Sequence, residues 1–327
     1  MSPTLVTGAT GFAGSHLVRH LLADGQTVRA LVRSPTRARQ LLPSGVDLTE
    51  GDVTDPAAVG RAVRGCQVVY HLAAAHREAG IDDRRYYEVH VGGTRSLLEA
   101  SRAEGVRRFV HVSTIGVHGD IRNPPADETS SYSPDGAYEV TKTEAEKLAL
   151  AFRRQHDFPL SVVRPVAMYG PGDSRLLKLF RMIARRRFII FGSGRIFYHM
   201  VYIDDLVRGL RLAAERPEAV GEAFIIGGDE CLTLNDLTAL IARVLGVPRP
   251  RLHFPAWPIQ LAGTLCEKIC VPLGVEPPLY RRRVDFFVKN RAYSIAKARR
   301  LLEFRPAVDL ATGVARTADW YRARGQL

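Results

Sequence analysis

The stretch Leu5-Val6-Thr7-Gly8-Ala9-Thr10-Gly11-Phe12-Ala13-Gly14-Ser15-His16-Leu17 decides how this chain is read. A short apolar run enters a turn punctuated by glycines 8, 11 and 14, and an apolar helical pattern continues through Val18, Leu21 and Leu22. That is strand, tight turn, helix. Glycines so placed let the backbone pass close to a pyrophosphate, whose charge then meets the free N–H groups at a helix N-terminus. Gly8, Thr10, Gly11, Phe12, Ala13 and Gly14 are therefore candidate cofactor-binding residues. The spacing is G-x-x-G-x-x-G rather than G-x-G-x-x-G, so the turn needs support from its surroundings.

The surroundings supply it. Strands are predicted at 5–7, 27–32, 47–50, 68–72, 108–113 and 160–164, and helices at 12–24, 36–42, 56–64, 91–104 and 138–156. Such alternation implies right-handed crossovers and an α/β fold, a Rossmann-type doubly wound parallel sheet. After Arg164 the regularity loosens, with a basic helix at 175–187, strands at 188–191, 201–203 and 224–226, and helices at 204–215 and 233–245. We expect a dinucleotide-binding domain over 1–165, to which 197–226 returns, and a smaller mixed substrate domain over 166–327. The apolar, proline-broken stretch 253–280 does not read as an ordinary surface loop.

Composition narrows the class. A chain of 327 residues with 46% hydrophobic and 24% charged residues is an ordinary globular protein with room for a sizeable core. No apolar run reaches the roughly 18 residues of a membrane span, and the first residues lead straight into a strand, so a cytoplasmic location is expected. The cysteines at 66, 231, 266 and 270 form no C-x-x-C, which predicts neither disulfide nor metal site. The net charge of +12 is concentrated in clusters such as Arg185-Arg186-Arg187 and Arg281-Arg282-Arg283. Without a recognition motif, nucleic acid is not expected as a partner. Phosphorylated small molecules, an anionic membrane surface in peripheral contact, and simple solvation all fit the charge.

The chemistry points to Tyr138 and Lys142, four residues apart on one helical face. A lysine ammonium favours the phenolate of a nearby tyrosine and brings its hydroxyl toward useful acid–base range. The preceding strand ends at Ser113-Thr114, which places a hydroxyl at the carboxyl edge of the sheet, where open α/β folds bind ligands. The second strand, about 20 residues beyond the glycine turn, ends Val32-Arg33-Ser34 with Arg37 close behind and no acid. A carboxylate there would select the 2′-OH of NAD, whereas arginine accommodates a 2′-phosphate, so NADP(H) is favoured and NAD(H) remains open.

These pieces, with G-D-V-T-D (51–55), H-L-A-A (71–74), G-T-R-S-L-L-E-A (93–100), V-S-T-I-G-V-H-G (112–119), Y-E-V-T-K (138–142), R-P-V-A-M-Y-G-P-G-D (164–173) and V-Y-I-D-D-L (201–206), make the chain resemble the extended short-chain dehydrogenase/reductases, the epimerase/dehydratase superfamily. Its wording is similar to the dihydroflavonol reductase and 3β-hydroxysteroid dehydrogenase branches. The resemblance implies Tyr138 as general acid/base, Lys142 as its modulator and a ribose contact, and Thr114, with Ser113 beside it, as holder of the substrate oxygen. It implies Asp52 and Val53 beside the adenine, Leu72, Ala73 and Ala74 along the cofactor, and Pro165 and Val166 near the nicotinamide. His118, Ala167, Tyr169, Tyr198 and Arg281 become candidate substrate contacts. Ile115-Gly116 stands where dehydratases carry Asp-Glu, which argues against a 4,6-dehydratase. The implied activity is hydride transfer between NADP(H) and a secondary alcohol or ketone, with a nucleotide-sugar 4-epimerase and a non-catalytic cofactor-binding protein as alternatives. The substrate would be a nucleotide sugar or an apolar ketone or alcohol, and the family implies a homodimer through 91–104 and 138–156.

Overall fold

A computed structural model describes residues 2–75, 82–270 and 281–327, with the side chains of Glu267, Ile269 and residues 281–283 excepted. Arg281 as a substrate contact, and 271–280 of the apolar stretch, thus lie outside the described side chains. The strands are β1 (Thr4–Thr7), β2 (Val28–Val32), β3 (Asp47–Glu50), β4 (Val68–His71), β5 (Arg108–Val112), β6 (Leu160–Pro165), β7 (Ala167–Tyr169), β8 (Ile190–Phe191), β9 (Phe197–Tyr202), β10 (Ala223–Ile226), β11 (Cys231–Thr233) and β12 (His253–Phe254). The α-helices are α1 (Phe12–Ala23), α2 (Pro35–Leu41), α3 (Pro56–Val63), α4 (Asp83–Tyr87), α5 (Gly93–Ala103), α6 (Ala137–His156) and α7 (Leu177–Ala184). They continue with α8 (Ile203–Glu215), α9 (Leu234–Leu245), α10 (Trp257–Cys270), α11 (Arg281–Val288), α12 (Ala296–Leu301) and α13 (Leu310–Arg322).

Seven strands form one sheet in the order β10-β6-β5-β4-β1-β2-β3, and every pairing in it is parallel. The order reverses between β1 and β4, which opens a crevice at their carboxyl ends. Successive residues point to opposite faces. Val6 therefore joins the layer holding Leu17, Val18 and Leu21 of α1 and Leu206 and Leu210 of α8. Leu5 joins the opposite layer with Val59 and Val63 of α3 and Leu97 and Leu98 of α5. Burial on both faces is why these strands read as unbroken apolar runs. Each fully buried leucine or valine contributes about 1.5–3 kcal/mol.

The rest of the chain builds a three-stranded sheet, β11-β9-β7, and the two-stranded pair β12-β8. β10 rejoins the large sheet at its edge, whereas β9 belongs to the small one. Three local expectations change. The basic helix stops at Ala184, and Arg185 to Arg187 follow it on the surface; Arg186 takes a positive φ of 56°, which ends the helical path. The strand expected at 188–191 is paired only at Ile190–Phe191, because its partner β12 is just as short. The helix expected from 91 starts eight residues earlier at Asp83 and passes through a π-turn, Glu88–Gly92. There, a Cβ on Gly93 would stand 2.8 Å from Val53 Cγ2, so only glycine lets α5 come this close.

The opening turn is the tightest approach. Gly8 has φ +70°, and a Cβ on it would lie 2.7 Å from the Ala73 nitrogen. A Cβ on Gly14 would fall 2.2 Å from the Gly8 carbonyl oxygen, so α1 sits on β1 with no room between them. Gly14→Ala should therefore lower stability by about 1–3 kcal/mol through overpacking, read as an earlier urea midpoint. It should also weaken dinucleotide binding, followed by quenching of protein fluorescence.

Candidate active site

The carboxyl edge of the sheet gathers most of the candidate residues. At the N-terminus of α1, Gly11 is the cap and no side chain bonds the first N–H groups. Thr10 and Gly11 are exposed, Phe12 and Ala13 half-buried. Unsatisfied N–H donors at the positive end of a helix dipole, beside a turn with no side-chain bulk, form a cradle that suits a pyrophosphate. Arg33 and Arg37 are exposed at the end of β2. Asp52, past β3, accepts from the Thr54 N–H and hydroxyl and from Arg85, 2.9 Å away. Partial burial opposes its ionisation, but these bonds win and hold its carboxyl below the ordinary range. Val53 is buried against Gly93.

A chain of hydroxyls and imidazoles ties the edge together. The Ala73 N–H donates to Thr7 Oγ1 (3.2 Å), which lies 2.8 Å from His71 Nδ1. His71 Nε2 in turn lies 3.0 Å from Thr94 Oγ1. Burial, and then the Lys142 charge, push the His71 pKa well below its ordinary value, so the ring is neutral. These bonds pin Leu72, Ala73 and Ala74, the strip expected along the cofactor, to β1 and α5.

His90, in the π-turn, repeats the device for α6. The Ala75 N–H donates to its Nε2 (3.1 Å), which leaves the proton on Nδ1 for Thr141 Oγ1 (2.9 Å). Thr141 passes its own hydroxyl proton to the Ala137 carbonyl at 2.7 Å. The His90 ring also meets the Tyr138 ring edge-on at 5.2 Å. One imidazole thereby joins the cofactor strip to the turn that carries Tyr138 and Lys142. Sequence reasoning missed it. Its signal was a histidine inside an otherwise apolar helical face, a pattern that usually means a packed core residue.

Lys142 is 3% exposed and its Nζ donates to the Val112 carbonyl at 2.6 Å. Burial lowers its pKa to about 8, against the Glu146 carboxylate, which supports the charge. Glu146 is fully buried and bound by the Arg164 guanidinium, with the Nη2 contact at 2.6 Å, and by the Tyr132 hydroxyl at 2.7 Å. Burial opposes its ionisation too, but Arg164 outweighs that and keeps the carboxyl below the ordinary range. Arg164 also reaches His118 Nε2 at 3.0 Å, and His118 Nδ1 lies 3.2 Å from the Ser131 carbonyl.

Thr114 caps a 3-10 turn, Ile115–His118, accepting the Gly116 N–H at 3.1 Å. A Cβ on Gly116 would be 3.0 Å from Glu139 Cγ and 3.3 Å from Thr114 Oγ1, so this turn lies flat against the first turn of α6. Thr114 and Tyr138 flank this contact, two residues and one residue from it in sequence, and both are half-buried, whereas Ser113 is buried. Pro165 and Val166 are buried at the end of β6, where the Val166 N–H is tied to the Ile226 carbonyl.

Two of the candidate substrate contacts are buried. His118 is buried inside the Arg164 network. Tyr169 is 1% exposed and crosses the core toward Gly313, its ring against Tyr202. Both are interior residues because hydrogen-bond partners and packing claim their polar tips. Ala167 and Tyr198 are half-buried. Tyr198 joins Phe286 (5.1 Å), Phe287 and Phe191 in an aromatic cluster. Beyond α11, Lys289 pairs with Asp135 at 2.6 Å, the Asn290 N–H donates to Asp120, and Tyr293 Oη reaches the Ile115 carbonyl. These ties fasten the segment that follows α11 to the turn after Thr114 and to the loop before α6. Among the described residues, no three His, Cys, Asp or Glu gather as a metal-binding set.

The NAD dependent epimerase/dehydratase family pattern matches residues 4–227. A putative dihydroflavonol 4-reductase of Synechocystis is 30% identical over 333 residues, covering 98% of this chain and 94% of the relative. A 2-alkyl-3-oxoalkanoate reductase of Stenotrophomonas maltophilia is 33% identical over 327 residues, covering 95% and 97%. Among solved structures, a UDP-glucose 4-epimerase of Thermotoga maritima superposes with a TM-score of 0.79 at 26% identity, covering 98% of this chain and 99% of that one.

The buried pair gives a stability test. Glu146→Gln leaves the Arg164 charge without its partner and should cost about 3–5 kcal/mol, read in urea. The folded carboxyl titrates below its reference value of 4.5. Its contribution is therefore present above that pH and is lost as pH falls through the folded value. The variant's deficit should accordingly shrink in acid.

Proposed function

Because the chain belongs to the NAD dependent epimerase/dehydratase family, we propose that it transfers hydride between NADP(H) and a secondary alcohol or ketone on an apolar skeleton. The chain is an enzyme of a family whose members here are named reductases, dehydratases and epimerases. The observation that supports the reading best is the Lys142 ammonium, buried one helical turn from Tyr138 with its Nζ on the carbonyl of Val112, two residues before Thr114. Reductase chemistry on an apolar substrate is favoured by the aromatic cluster of Tyr198, Phe286, Phe287 and Phe191, and by the alkyl ketone acid in the Stenotrophomonas relative's name.

A bound nicotinamide supplies or accepts the hydride. Thr114 Oγ1 holds the substrate oxygen. Tyr138 gives its phenolic proton to that oxygen during reduction and takes it back during oxidation. The Lys142 charge favours the phenolate that results. The Gly8–Gly14 turn and the N-terminus of α1 receive the pyrophosphate, with Leu72, Ala73 and Ala74 along the cofactor and Pro165 and Val166 beside its nicotinamide. Arg33 and Arg37 favour a 2′-phosphate over a 2′-hydroxyl. In this reading the enzyme works in the cytoplasm as a homodimer paired through α5 and α6.

A second reading, a nucleotide-sugar 4-epimerase with NAD(H) tightly bound, draws on the Thermotoga structure. The same three residues would serve it, but its cofactor undergoes no net turnover. Incubating the protein with NADPH and either 2-alkyl-3-oxoalkanoates or UDP-sugars separates the two. Loss of NADPH absorbance with the ketones supports the first, and inverted sugar without cofactor loss supports the second.

Tyr138→Phe should reduce turnover by about a hundredfold or more while leaving NADPH binding intact; unchanged activity refutes the catalytic role. Ketone reduction should decline as pH rises through about 8, where Lys142 loses its charge. NADPH should bind more tightly than NADH, and Arg33→Asp should invert that order. Tighter NADH binding to the unaltered protein refutes the NADP assignment.

A further inference from the structure

Nine large hydrophobic side chains are exposed among the described residues, and five of them, Leu252, Phe254, Trp257, Leu261 and Leu265, fall within fourteen consecutive positions. Trp257, Leu261 and Leu265 are 67%, 53% and 49% exposed. Spaced four apart on α10, they form one stripe along the helix. Leu252 and Phe254 extend the apolar surface into β12, whose backbone is held to β8 by the Ile190 and Gly192 N–H groups. Contiguous apolar surface of this kind marks an interaction site.

The sequence around it is predominantly basic, although Glu267 lies in α10 and Asp285 in α11. Residues 174–203 contain seven Lys or Arg and no Asp or Glu, and residues 237–266 contain three Arg and again no acid. The parallel register of β8 and β12, Ile190 beside His253, sets position 187 level with 250. Arg185, Arg186 and Arg187 therefore gather at the same end of the ribbon as Arg249 and Arg251, and all five are exposed. The ribbon leads directly into the apolar stripe, and Lys268 is exposed in the last turn of α10.

We propose that this face docks the protein on an anionic lipid surface. Trp257, Leu261 and Leu265 enter the boundary between headgroups and acyl chains, and the arginines meet the lipid phosphates. An apolar helical stripe with a tryptophan and a basic flank is the composition that binds at such a boundary without crossing it, and no described helix is long and apolar enough to cross. A second copy of this chain fits the surface poorly, because a two-fold contact would set the five arginines against their own images. The docking rests on the surface alone and is independent of the substrate reading. Its consequence for the site is positional. α10 packs on α11, whose Phe286 and Phe287 belong to the aromatic cluster, so the docked face adjoins that cluster.

Co-sedimentation of the full chain with vesicles tests this. The protein should pellet with phosphatidylcholine–phosphatidylglycerol vesicles, less with phosphatidylcholine alone, and less again as salt rises. Trp257→Ser, Leu261→Ser and Leu265→Ser combined should weaken that binding about tenfold or more, and Arg249→Gln with Arg251→Gln should weaken it and flatten its salt dependence. NADPH affinity and thermal midpoint of both variants should match the unaltered protein, which shows that the fold is intact. Three results overturn the proposal: no pelleting with either vesicle; equal pelleting of the triple serine variant; or a dimer, present without lipid, that the triple variant converts to monomer, which would assign the face to a second copy.

Discussion

A lysine ammonium buried beside a strand end is costly unless something holds its charge, and much of this site follows from how Lys142 is held. Left alone at 3% exposure it would deprotonate. Glu146, one turn along α6, supplies the opposing charge but is itself fully buried and needs a partner. Arg164, at the end of β6, is that partner, and its remaining donors recruit His118 and the Glu128 carbonyl, while Tyr132 closes on both Glu146 and Arg164. The segment between β5 and α6 is thereby folded down, and it carries the 3-10 turn capped by Thr114. One buried charge organises two strand ends, a helix and a loop.

A second set of polar contacts performs the same service for the cofactor side. Thr7, His71 and Thr94 bind β1, β4 and α5 at the switch point of the sheet, and His90 links Ala75 to Thr141. Both imidazoles act as rigid two-ended connectors. His71 does so as the neutral ring that burial enforces, and His90 through the one tautomer its backbone donor permits. The strip 72–75 and the first turns of α6 are in this way parts of one hydrogen-bonded frame, so each is positioned relative to the other.

Much of the frame was legible in the primary structure. Parallel strands buried on both faces appear as apolar runs, and the alternation of runs with helical patterns leaves few topologies. The glycine turn is readable because only glycine tolerates the approach of α1 to β1, and the Tyr138–Lys142 pair because four residues make one helical turn. What failed was local extent. The π-turn advanced the helix start to Asp83, the basic helix ended before Arg185 to Arg187, and the strand at 188–191 shortened to Ile190–Phe191.

Sequence by itself determined the sheet, the glycine turn at the head of α1 and the one-turn spacing of Tyr138 and Lys142 in α6, because each is encoded within a few neighbouring residues by backbone geometry or helical period. Tertiary structure alone decided which buried groups hold Lys142 charged, that His90 couples the two halves of the site, and that the stripe of Trp257, Leu261 and Leu265 faces outward beside a cluster of arginines. Those facts depend on residues far apart in the chain meeting at particular distances, or failing to be covered. Pairwise burial of charge and the exposure of a helical face are properties of packing, and packing has no local signature.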